Sequence, residues 1–175
     1  MQRGFIIFMS FLVSSGIFSC AKEKKETSFD IYRNYSLQNN GVFFSVPPGI
    51  VSILLDENQE GTEELKQVLT NVNSLSFLII SNNSKIKENL HFADIDTKLH
   101  SINFVDLAMV NNGKEIVKII VQTEENKVNE MVVLVSNYNA FFCISFKGPL
   151  DISKIASLAQ PENLAAISNL DKFNR

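Results

Sequence analysis

Apolar residues fill Gly4 to Phe18 almost without a break, with only Ser10, Ser14 and Ser15 interrupting them. The run ends near Cys20, and the charged stretch Lys22-Glu23-Lys24-Lys25-Glu26 follows. From Asn40-Gly41 onward the apolar positions recur with the periods of folded elements. Val42 to Val46 reads as a short strand that Pro47-Pro48 stops. Pro48 suits the first turn of a helix, where its missing N–H is no loss, and Ile50, Ile53 and Leu54 then share one face. Gly61 is the expected stop. Thr62 is placed to cap the next helix, which carries Leu65, Val68, Leu69 and Val72 at i, i+3, i+4 and i+7. Ser74 to Ile80 is a nearly continuous apolar run, the pattern of a buried strand. Asn82-Asn83-Ser84 offers an N-cap for a helix running toward Ile102, with Phe92, Ile95, Leu99 and Ile102 on one side.

The second half is simpler. Phe104 to Val110 is strand-like, and Asn112-Gly113 is the strongest hairpin signal in the chain, because both residues tolerate positive φ. Glu115 to Gln122 returns, Thr123 to Lys127 is a polar loop, and Val128 to Val135 is a further strand. Ser136-Asn137-Tyr138-Asn139 turns the chain into Ala140 to Phe146. Gly148-Pro149 is expected to end this four-strand meander. Asp151 or Ser153 can cap a helix with Ile152, Ile155 and Leu158, and Pro161 opens a last one through Leu170. The order of elements predicts an α+β domain, a mainly antiparallel sheet with the C-terminal meander and helices packed on one face.

Composition supports a domain held by its own core. Hydrophobic residues make up 45% of the 175, with 14 Phe and no Trp. The roughly 155 residues after Cys20 suffice for a single domain burying about 70% of its unfolded surface. The formal net charge of −3 gives no basic footprint for nucleic acid, and the charges are dispersed rather than gathered in a tail.

The N-terminal pattern speaks to location. A positive charge at Arg3 followed by an apolar run has the form of an export signal. The run falls short of the roughly 20 apolar residues a membrane-spanning helix needs. Ile17-Phe18-Ser19-Cys20 resembles a bacterial lipobox, with an aliphatic residue three places before a cysteine and a small residue just before it. The thiol is the nucleophile that would take a diacylglyceryl group as a thioether. Phe18 is bulkier than the residue usually found there. The expected organisation is a lipoprotein signal peptide at 1–19, a lipidated N-terminus and polar tether at 20–40, and one globular domain at 41–175. Cys20 is the lipidation residue, and membrane contact runs through its lipid. With only 2 Cys in the chain, an anchor at Cys20 leaves Cys143 without an intrachain partner. Cys143 reads as a small buried apolar residue.

Candidate chemistry is sparse. The sequence holds no HExxH, GxSxG, CxxC or glycine-rich phosphate loop, so it offers no catalytic, metal or cofactor residues by motif. His91 and His100 lie nine apart on the expected helix, on about the same azimuth. They would be about 13 Å apart along its axis, too far to share a metal. Asp94 and Asp96 lie between them, and Asp94 can approach His91 at i, i+3. Asp106, flanked by Val105, Leu107 and Ala108, reads as the solvent side of a half-exposed strand. Convergence of three of these five residues in one cleft would argue for an enzyme.

Several segments together carry a resemblance: the lipobox, VFFSVPPGIVSIL, FVDLAMVNNGKEIVKIIV, VNEMVVLVS and FKGPLDISKIASL. They are similar to small Bacteroidetes lipoproteins grouped as domain of unknown function 4252. That resemblance implies an outer-membrane or periplasmic lipoprotein without an assigned activity, and it supplies no catalytic residue. The sequence therefore points to a lipid-anchored cell-envelope protein facing the periplasm, a non-catalytic module that binds a protein or envelope component. The alternative is a small envelope hydrolase built on carboxylates that match no motif.

Overall fold

The computed structural model describes residues 25–55, 57–58, 60–81, 90–125, 127–160 and 163. The signal region, Cys20, the Asn82-Asn83-Ser84 cap and most of the helix expected after Pro161 lie outside them. Six strands form one sheet: β1 (Val42–Val46), β2 (Ser74–Ser81), β3 (Phe104–Asn111), β4 (Glu115–Glu124), β5 (Lys127–Asn137) and β6 (Ala140–Leu150). Their order is β1-β2-β6-β5-β4-β3, and every neighbouring pair is antiparallel. The expected α+β class and the β3–β6 meander are both present. β1 and β3 are the edges, so the chain crosses the whole sheet between β2 and β3.

Five helices complete the described fold: α1 (Ser28–Gln38), α2 (Pro48–Leu54), α3 (Thr62–Leu69), α4 (Leu90–Ser101) and α5 (Ile152–Leu158). They cover both faces of the sheet, which corrects the expectation of one face. On one side Val51, Leu65, Val68, Ile155 and Leu158 from α2, α3 and α5 pack on Phe77, Ile119, Val133, Ile144 and Phe146. On the other, Ile31, Tyr32 and Tyr35 of α1 join Phe92, Ile95 and Leu99 of α4 over Leu78, Ile120, Val132, Leu134, Phe141 and Cys143. The reason lies in the strands themselves. β2, β5 and β6 carry unbroken buried runs, Leu75–Ile80, Glu130–Ser136 and Phe141–Phe146. Side chains alternate across a strand, so such a run buries two faces and needs cover on both. Among the described residues no helix is long and apolar enough to cross a membrane.

The tether expected over 20–40 is also corrected, because α1 occupies most of its second half. Thr27 opens α1 with a capping box: its hydroxyl accepts from Asp30 N–H while the Asp30 carboxylate accepts from Thr27 N–H, both at 3.2 Å. Each satisfies a donor that the helix start would otherwise orphan. Ile31, Tyr32 and Tyr35 then face the core. Among the described residues, the folded unit therefore begins at Thr27.

Local details shift too. Gly61 starts α3, at φ +80°, instead of ending α2, and Thr62 is buried in its first turn. The β3–β4 turn gives positive φ to Gly113 alone, while the Asn112 side chain accepts from Lys114 and Glu115 N–H. β6 does not stop at Gly148-Pro149 but runs to Leu150. Gly148 is needed there because the α3–β2 connection crosses it: a Cβ would lie 2.4 Å from the Asn71 carbonyl oxygen.

Candidate functional site

Three of the five candidate residues do come together, beside a fourth that the sequence reading passed over. Lys118 points from the middle of β4 toward the side that α4 covers, and it is 7% exposed. Its ammonium donates to Asp96 Oδ2 at 2.8 Å, from α4, and lies 2.9 Å from Asp106 Oδ1, on β3. His100, one turn beyond Asp96, places Nε2 2.8 Å from the same Asp106 oxygen and Nδ1 2.7 Å from the Asp96 backbone carbonyl. Both ring nitrogens thus face oxygen atoms. Lys118, His100 and the two carboxylates form a closed quartet.

The electrostatics follow from that closure. Partial burial pulls the Asp106 carboxyl upward, but the Lys118 ammonium and His100 outweigh it and hold it below the usual carboxylate range. Burial works against the Lys118 charge, yet hydrogen bonds to Asp96 and Asp106 raise its pKa above the ordinary lysine value. One ligand atom from each of Asp96, His100 and Asp106 lies within 4.8 Å of the others, close enough to suggest a metal. The Lys118 nitrogen, however, already bridges the two carboxylates. The group sits at the surface, with Asp106 more than half exposed, and not in an enclosed cleft. It can pin the end of α4 to β3 and β4.

His91 and Asp94 lie elsewhere. Nine residues make two and a half helical turns, so His91 and His100 project from opposite sides of α4, not from the shared azimuth expected. His91 is buried against α1, its Nδ1 3.0 Å from the Tyr35 hydroxyl and its ring edge-on to that tyrosine. Burial lowers its pKa below the usual histidine value, with Asp94 opposing. Asp94 pairs loosely with Lys98 at 3.4 Å, one turn on.

A second buried polar group was not anticipated at all. Glu130, near the start of β5, is 2% exposed. It accepts from Ser28 and Ser145 hydroxyls at 2.7 Å each and, more weakly, from Tyr32 at 3.4 Å. The one sequence signal was an acid set just before the apolar run Met131–Val135. Ser28 and Tyr32 belong to α1, so this carboxylate fastens the first helix to the sheet. Cys143 is buried beside them, and burial, opposed by Tyr32, raises its thiol pKa. A thiol held in that state is inert.

These features define a small α+β domain, closed on both sides of one antiparallel sheet, whose polar clusters lock helices in place. Residues 35–158 match the model of a Domain of unknown function (DUF4252), and the chain belongs to that family. No curated protein and no solved structure matches the chain.

Proposed function

We propose that this chain is a lipid-anchored cell-envelope protein whose folded domain is a non-catalytic binding module. The observation that carries the reading is Ile17-Phe18-Ser19-Cys20 at the end of the apolar N-terminal run, with Thr27, the cap of α1, only seven residues later. Several acyl chains on Cys20 hold a protein essentially permanently, where one holds it marginally. Seven extended residues reach at most about 25 Å, so the domain rides close to the bilayer. An outer-membrane lipoprotein facing the periplasm fits this arrangement. The partner is a protein or envelope component, not nucleic acid, since the chain carries a formal net charge of −3.

The convergence of Asp96, His100 and Asp106 is what favours the alternative, a small hydrolase. The bridging Lys118 ammonium weighs against it, because it already pairs with both carboxylates. Growth with a labelled fatty acid tests the anchor. Label is expected on the wild-type protein and absent from Cys20→Ser, which accumulates as unprocessed precursor. Equal labelling of both overturns the reading.

A further inference from the structure

The end of the sheet opposite α1's start carries a cleft of about 490 Å³ between the β3–β4 and β5–β6 turns. That volume is within the range of small-ligand sites. Its β5–β6 wall breaks a local rule. Only Tyr138 and Asn139 separate β5 from β6, and neither has positive φ. Two-residue hairpin loops normally use positive φ because its twist matches that of the strands, and loops without it splay the strand ends. Here Asn137 compensates, its side-chain oxygen accepting from Asn139 and Ala140 N–H. The turn chemistry explains the asparagines. It does not explain Tyr138, which stands 76% exposed at the tip while Tyr32 and Tyr35 are buried.

We infer that this cleft binds a neutral oligosaccharide, with Tyr138 as the platform for a sugar ring. A pyranose offers a face of C–H groups that packs on an aromatic ring and a rim of hydroxyls that both donate and accept. The cleft answers both. Ile116 and the Tyr138 ring supply apolar surface. Asn111 gives its side-chain oxygen to Gly113 N–H, which leaves its NH₂ as a donor for a ligand. Lys114 and Glu115 contribute opposite charges, so the lining has no net charge to favour an anion or a cation. Position agrees with such a role. Glu130, where α1 begins, and Asn137, at the cleft, are seven residues apart on β5, about 23 Å. On the lipid-anchor reading, which sets only this orientation and not the binding, the cleft points away from the membrane.

The test is a glycan array probed with the full-length protein in detergent, followed by calorimetry with the neutral oligosaccharide best retained. Saturable binding is expected, at least tenfold weaker in Tyr138→Ala and within threefold of wild type in Tyr138→Phe, which keeps the ring. Tyr138 is exposed, so melting temperatures should match and exclude misfolding. Retention of no neutral glycan, a preference for acidic glycans, or binding unchanged in Tyr138→Ala overturns the inference. Binding should persist in Cys20→Ser, so a failed lipid-labelling result would remove the orientation and leave the site standing.

Discussion

If the Lys118 ammonium fills the place of a metal, removing it should create a metal site where the wild type has none. Lys118→Ala deletes two charge-assisted hydrogen bonds, at 2.8 and 2.9 Å. Hydrogen bonds to charged groups contribute about 1.5–3 kcal/mol each when buried. Asp106 is 59% exposed and water can replace its partner, so the loss should total only about 2 kcal/mol. The vacancy is lined by Asp96, His100 and Asp106, whose ligand atoms lie within 4.8 Å of one another. Tetrahedral zinc, with ligands at about 2.1 Å, needs them about 3.4 Å apart, a modest closure for surface side chains. At a zinc concentration a hundred times the Kd, the variant should regain about 2.7 kcal/mol. The rescue should strengthen as pH rises, since an imidazole binds metal only after losing its proton. Urea unfolding with and without zinc, and with chelator, reads all of this. A wild-type midpoint that moves with zinc or chelator would refute the view that the lysine closes the site. A variant that zinc leaves untouched would refute the geometry.

Two further predictions concern the fold. Gly148→Ala should cost about 2–4 kcal/mol, since overpacking costs about 1–3 and the Asn73 N–H to Lys147 carbonyl bond at 2.8 Å would strain as well. Gly113→Val should cost about 1–2 kcal/mol from its φ of +81° alone, as a Cβ there meets nothing within 4 Å. Equal denaturant midpoints for the two variants would contradict this ranking. His91 gives a pH dependence: its pKa is lowered in the fold, so the unfolded chain binds the extra proton first as pH drops below about 6.5. Stability should be full above that pH and decline as pH falls toward the lowered value, more steeply in wild type than in His91→Phe; identical slopes between pH 7 and 5 would show that His91 charges freely in the fold.

The sheet was legible because its signals are local. The strands, their meander and the helix Ile152–Leu158 follow from apolar period and turn residues, each read within a dozen positions. What went unread needed knowledge of what faces what. The run Ser74 to Ile80 was recognisable as buried, yet that it demands a second helical layer follows only when β5 and β6 are seen to share its pattern. α1 escaped because its inward residues include two tyrosines, and its polar surroundings resembled a tether; Thr27-x-x-Asp30 was its one plain start signal. The quartet is the extreme case. Asp106 and Lys118 lie on one face of the β3–β4 pair, where Asp106 stands opposite Ile120, two residues from Lys118. A bulge at Leu107 then shifts the register, so downstream it is Met109 that faces Lys118. Simple counting back from the Asn112-Gly113 turn therefore misplaces Asp106 by one residue, and one residue turns a side chain to the opposite face. His100 and Asp96 reach the pair only because α4 packs over β5 and the β3 edge. A site assembled by a bulge and a crossover leaves no spacing in the sequence, so the absence of a catalytic motif could not by itself exclude clustered carboxylates. What decides their role is the buried lysine between them, a residue whose sequence context, Val117-Lys118-Ile119, shows only that something on that face must pair with it.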